Sequence, residues 1–212
     1  SGWNGTGIAG APYTIAFENS TDHVIATDIF YLGAKPAFTM EAWIKPDTVS
    51  SWQAFMAFGD DTSSTNGFYF DIDGNGTLTL NLHGGYRHGA VEKIEAGVWT
   101  HVVVTKSPGV MKDTTTFYIN GQLDAGTGIR GETPNLLPGP FALGTSFDGS
   151  SYKYDGKIGY SAVYDDVLTA AEVEQNFNAL RPRFASTSLP DTLVSRRSDW
   201  QSESEHSSWL IR

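Results

Sequence analysis

Residues 97–124, GVWTHVVVTKSPGVMKDTTTFYINGQLD, constrain the fold more than any other stretch of the chain. Within them, residues 101–105 and 114–119 are runs of β-branched and aromatic side chains, which suit a pleated, half-buried surface. The linker between the runs carries Pro108-Gly109, so the pair reads as a hairpin. Asn120-Gly121 closes the second run. Both residues tolerate positive φ, which predicts a primed turn and a third strand at Gln122-Leu123-Asp124. Trp99 and the valines of this meander are expected in a core, and His101 reads as a structural histidine. A local antiparallel meander of this kind belongs to an all-β domain and carries no chemistry of its own.

The remaining sequence fits the same class. Residues 13–17 and 23–26 are short strand runs around a polar turn. FTMEAWIK, residues 38–45, alternates Phe38, Met40, Ala42 and Ile44 with Thr39, Glu41, Trp43 and Lys45 before Pro46 stops it. Residues 52–58 follow as a strand with Phe55 and Phe58 inward. Residues 68–72 and 77–82 flank Asp73-Gly74-Asn75-Gly76 as a hairpin, with Leu78, Leu80 and Leu82 on one face. HGGYRH, residues 83–88, reads as a loop, residues 90–94 as a short strand, and residues 141–143 and 157–164 as further strands.

One helix is expected. Thr169 and Glu172 have capping-box spacing, Val173, Phe177 and Leu180 share a face, and Pro182 marks the end. The glycine-rich residues 1–10 read as an arm in which Trp3 is a packing anchor rather than a ligand platform. The organisation predicted is a jelly roll over residues 1–184 and a serine-rich C-terminal extension or arm over 185–212.

Charge and composition exclude several functions. The 24 acidic against 14 basic side chains give a formal charge of −10, which repels phosphate backbones and argues against a nucleic-acid partner. With no cysteine there is no disulfide, thiolate metal site or thiol nucleophile. No apolar run approaches the roughly 20 residues of a membrane span, so membrane insertion is not expected.

Four phrases, FTMEAWIKP, GVWTHVVVTKS, TTTFYINGQLD and YDGKIGYSAVYDDVLTAAEVEQNFNAL, occur in an order and spacing that resembles the laminin-G-like jelly rolls of the concanavalin A-like lectin/glucanase superfamily. The likeness covers residues 13–184 and implies an all-β, two-sheet antiparallel β-sandwich with one short C-terminal helix. The closing NFNALRPRF is similar to the ends of such domains in bacteriophage virion proteins. The resemblance also implies a structural Ca2+, often held by an aspartate just after a Gly-Lys-Ile phrase. Gly159 stands at that position here, which leaves Glu18 and Asp155 as candidate metal ligands.

Catalytic groupings are sparse. The acidic signature Glu-x-Asp-x-x-Glu of the superfamily's glucanases does not occur, and Asp71-x-Asp73 runs into a hairpin turn. Asp71-x-Asp73-x-Asn75-Gly76 also matches the first half of an EF-hand loop, but Leu82 stands where the bidentate glutamate belongs, so the hairpin reading prevails. Sugar recognition needs exposed aromatics for stacking together with polar groups for hydroxyls. Trp52, Tyr69, Tyr86, Tyr152 and Tyr154 are aromatic candidates, and His83 and His88 flank Tyr86 in one loop. The ligand-binding set is therefore Trp52, His83, Tyr86, His88 and Tyr152, and the rigid sheets are expected to present loops at 60–66, 83–88 and 147–154.

The expectation is a non-catalytic binding or adhesion module, extracellular or on a cell or virion surface, that takes a glycan or glycoprotein. The alternative is a structural or decoration domain of a virion or cell surface, with residues 185–212 joining a second copy or a virion partner. A glycoside hydrolase is the third reading.

Overall fold

The structure, a computed structural model, describes residues 2–18, 21–30, 37–60, 62–63, 65–83, 86–128 and 131–185. They form two seven-stranded antiparallel sheets packed face to face. The first runs in the order β1 (Gly2–Asn4), β2 (Thr14–Phe17), β14 (Gly156–Tyr164), β4 (Phe38–Pro46), β9 (Thr100–Lys106), β10 (Thr115–Ile119), β11 (Gln122–Asp124). The second runs β12 (Thr127–Gly128), β8 (Tyr86–Lys93), β7 (Thr77–Leu82), β6 (Gly67–Ile72), β5 (Gln53–Gly59), β13 (Gly139–Leu143), β3 (Val24–Phe30).

The two-residue side-chain period sets the inner faces. Phe38, Met40, Ala42 and Ile44 of β4 meet Phe58, Phe68, Phe70, Leu78, Leu80 and Leu82 of the opposite sheet. Phe38 lies 5.6 Å from Phe58 and 5.2 Å from Phe68, and Phe55 lies 4.6 Å from Phe70. The predicted meander is present: β9 pairs with β10, β10 with β11, and Asn120 (φ 52) and Gly121 (φ 78) make the primed turn. The Asp73 turn is a hairpin too, with Asp73 Oδ1 accepting from the amides of Asn75 (2.8 Å) and Thr77 (2.9 Å).

The outer face of the first sheet is also buried, because α2 (Ala170–Phe184) lies across it. The helix starts at the predicted capping box, in which the Thr169 amide donates to Glu172 Oε2 at 2.8 Å. Phe177 and Phe184 stack on Trp43, with ring centroids 5.7 and 4.4 Å away. Beneath them the buried Glu41 carboxylate accepts from His101 Nε2, Tyr164 Oη and Asn176 Nδ2, each at 2.9 Å. Burial alone would raise the Glu41 carboxyl, but these donors outweigh it and hold it below the usual carboxylate range.

The helix ends at Phe184, near Pro182 as expected, and stacking of Phe184 on Trp43 offsets the one backbone donor that proline lacks. Several local expectations are corrected. Trp99 is half-buried outside the inter-sheet core, with its ring 5.0 Å from Phe184. Residues 86–88 belong to β8, where Tyr86 and His88 pair with Leu82 and Leu80. Residues 2–4 form an edge strand against β2, and the linker between β9 and β10 holds a short helix, α1 (Met111–Thr114). Trp3 is 76% exposed and anchors nothing. No helix among the described residues is long and apolar enough to cross a membrane. The expected arm, beyond Ala185, lies outside the described residues.

Candidate functional site

The outer face of the second sheet carries a row of cross-strand partners. Asn81, Tyr69, Ala57, Ala142 and Ile25 stand opposite one another on β7, β6, β5, β13 and β3. The two alanines leave a trough, and Phe147 fills it, at 3% exposure. Phe147 belongs to the connection between β13 and β14, residues 144–155, which folds back over this face.

Hydrogen bonds within the connection keep it in place. Ser146 N donates to Ser151 O and Ser151 N to Ser146 Oγ, both at 2.9 Å. Ala54 N of β5 donates to Tyr152 O at 2.8 Å, which ties the loop to the sheet. Tyr152 has φ 51, a left-handed backbone that costs a non-glycine residue about 1 kcal/mol or more and persists only where its surroundings enforce it.

These constraints build a cleft of about 180 Å³ lined by Tyr69, His83, Ser146, Phe147, Asp148, Ser151 and Tyr152. Tyr69 is its centre. Its ring stacks on Phe147 (5.0 Å, 9° between planes) and lies 5.3 Å from the tilted ring of Tyr152. Its hydroxyl shares a 2.9 Å hydrogen bond with His83 Nδ1, and the His83 ring is 5.5 Å from Phe147. Tyr152 remains 40% exposed, so an aromatic face is open to solvent at the mouth.

Asp148 supplies the charge. Burial would raise its carboxyl, but the hydroxyls of Ser146 and Ser150 and the Ser150 amide donate to it and hold it at about 2. It is a fixed carboxylate at neutral pH, an acceptor beside aromatic surface.

Of the residues expected to bind ligand, His83 and Tyr152 come together in this cleft. Trp52 is not among the residues that line it; it stands two residues before Ala54, whose amide bonds Tyr152 O, at the end of β6 away from His83. The backbones of Tyr86 and His88 run in β8, and their side chains lie outside the described residues. Tyr154 is a core residue, 1% exposed. Phe147, Asp148 and Asn81 carry no motif. Asn81 is legible only through its register opposite Tyr69, and its buried Oδ1 has no hydrogen-bond partner among the described residues.

Glu18 and Asp155 follow and precede the paired residues Phe17 and Gly156, so they flank the same end of β2 and β14. The Asp155 amide donates to Gln53 Oε1 at 3.0 Å and the Glu18 amide to Asp22 Oδ2 at 3.1 Å. No group of three or more His, Asp or Glu residues that could hold a metal occurs among the described residues. At Gly159 a Cβ would lie 2.3 Å from Phe184 Cε1 and 3.3 Å from Trp99 Cη2, so the space of the family's aspartate is taken by aromatic rings. Position 159 therefore has no room for the family's aspartate.

Two antiparallel sheets packed face to face, one roofed by a helix and the other by a folded loop, define a jelly-roll sandwich. The chain belongs to the concanavalin A-like lectin/glucanases superfamily, whose laminin-G model matches residues 18–174.

Solved structures agree on the fold. Domain 4 of AbnA, a GH43 extracellular arabinanase from Geobacillus stearothermophilus solved with arabinotriose, matches with a TM-score of 0.61 at 19% identity, over 82% of this chain and 81% of that one. The CBM40 of the Ruminococcus gnavus IT-sialidase, solved with alpha2,3 sialyllactose, matches with a TM-score of 0.55 at 18% identity, over 68% and 84%. The receptor-binding domain of botulinum neurotoxin type G matches with a TM-score of 0.56 at 12% identity, over 84% and 45%. No curated protein matches the sequence.

Proposed function

We propose that this chain is a non-catalytic, extracellular or surface-borne binding module that takes a neutral glycan at the mouth of this cleft, against Tyr152. The open face of Tyr152, held over the buried Tyr69 and Phe147 and set beside His83 and the Asp148 carboxylate, carries the reading. Aromatic faces suit the apolar faces of sugar rings, and a carboxylate, an imidazole and serine hydroxyls suit sugar hydroxyls. The left-handed backbone at Tyr152 adds support, because such strain gathers at ligand sites. Two structures of the same fold are sugar-bound modules, one holding arabinotriose and the other sialyllactose. The formal charge of −10 disfavours an anionic sugar and favours the neutral class.

Hydrolysis would need two carboxyl groups flanking the sugar, one of them protonated. The cleft holds one, Asp148, ionised above about pH 2. Asp71 is buried and accepts from Thr79 Oγ1, and Asp73 is occupied by its own turn. These placements support the binding reading over the hydrolase.

A broad array of neutral glycans tests it, with wild type, Tyr152→Ala and His83→Ala run side by side. The expected result is signals that both substitutions reduce at least tenfold. Silence of the wild type, or signals indifferent to Tyr152→Ala, overturns the assignment.

A further inference from the structure

A second groove, of about 220 Å³, opens at the seam between the sheets, where β1 and β2 face the start of β3. Trp3, Ile15 and Phe17 line one side, and Asp22, His23 and Val24 the other. Trp3 is the most exposed of the large hydrophobic side chains described, on an edge strand that needs no tryptophan for packing. His23 Nδ1 is engaged with Thr21 O at 2.8 Å as donor, which leaves Nε2 as an acceptor. An exposed indole with an imidazole and a carboxylate repeats the chemistry of the first cleft.

The loop carrying Asp148 lines the first cleft and, at Gly149, reaches His23 of the second groove. A Cβ on Gly149 would lie 2.9 Å from Ile25 Cδ1 and 3.7 Å from His23 Nε2, so the crest of that loop rests on β3 beside the second groove. Its other flank, Ser146, Asp148 and Tyr152, lines the first. The crest itself presents the Asp148 carboxylate and the Ser150 hydroxyl. The row from Tyr69 to Ile25 crosses β6, β5, β13 and β3, about 14 Å at roughly 4.8 Å per strand. A single sugar ring cannot reach across that distance.

Resting on the glycan reading of the first cleft, we infer that the ligand is a linear neutral oligosaccharide that crosses the Asp148 loop, with Trp3 and His23 forming a distal subsite. Affinity then grows with chain length until the chain reaches Trp3, and only the added units depend on Trp3.

Calorimetric titration of wild type, Trp3→Ala, His23→Ala and Tyr152→Ala with linear arabino- and cello-oligosaccharides, from dimer to octamer, tests the inference. Trp3→Ala is expected to weaken octamer binding about tenfold, the equivalent of one lost stacking contact, and to leave the dimer unchanged. His23→Ala should act in the same length-dependent way, whereas Tyr152→Ala weakens both lengths. If Tyr152→Ala weakens the octamer while Trp3→Ala and His23→Ala do not, the distal subsite is wrong and the first cleft stands. If Tyr152→Ala changes nothing, or no length binds the wild type, the reading of the first cleft fails and the distal subsite fails with it.

Discussion

The closure of α2 on the first sheet predicts a measurable coupling between Gly159 and Phe184. Phe184 is 4% exposed, 4.4 Å from the stacked ring of Trp43 and 5.0 Å from Trp99. Truncating a buried phenylalanine costs about 3–5 kcal/mol, and the position at the relaxable end of a helix places Phe184→Ala near the lower bound. Gly159→Ala acts from the other side. Its Cβ would stand 2.3 Å from Phe184 Cε1, so the ring must leave its stack, an overpacking cost of about 2 kcal/mol. With Phe184 already truncated, the same methyl enters vacated space. The double variant is therefore expected to cost about 2 kcal/mol less than the sum of the single ones. Urea unfolding followed by tryptophan fluorescence measures all four species, with unchanged m-values as the check on two-state behaviour. Additivity within about 0.5 kcal/mol would refute the argument, because it would mean that the Phe184 ring does not occupy the space over Gly159.

Other consequences are tested in the same way. Glu41 has a folded-state pKa below its unfolded value, so its contribution is present above about pH 4.5 and is lost as pH falls through the folded value. Glu41→Gln should cost about 2 kcal/mol at pH 7 and less at pH 3, read from urea midpoints, and a gap independent of pH would contradict the network. Lys106 is buried, with Nζ donating to Ser107 O, Gly109 O and Thr114 Oγ1, and burial lowers its pKa to about 8. From about pH 8 to 10.5 the folded chain sheds this proton while the unfolded chain keeps it, so this group makes stability rise with pH. The three oxygens favour the ammonium and hold the gain below about 3 kcal/mol. Lys106→Met should abolish the rise, and a wild-type curve that matches the variant's would refute it. Because rings fill the place of the family's aspartate, chelator should leave the melting temperature unchanged; a fall would restore an ion at Glu18 and Asp155.

The sandwich is legible in the sequence because its signals are local: alternation along residues 38–45, Asn120-Gly121 at a primed turn, and Thr169 with Glu172 at a helix start. The cleft is only half legible, and two tyrosines show why. Tyr152 and Tyr154 are two residues apart, a spacing that in an extended chain puts both on one face. The left-handed backbone at Tyr152 breaks that parity. Tyr154 turns into the core against Phe17 and Phe55, while Tyr152 is left over Tyr69. That backbone state is imposed by contacts distant in sequence, from Ala54 N to Tyr152 O and from the alanine trough to Phe147. No local pattern encodes such contacts, so residue type marks Tyr152 and His83 as candidates but not Asp148 or Phe147. The same limit governs Trp3, whose glycine-rich surroundings suggest an unstructured arm until the pairing of Gly2–Asn4 with β2 sets its indole at the seam. In this chain, then, the sequence period selects the core, and the conformation of one loop selects the site.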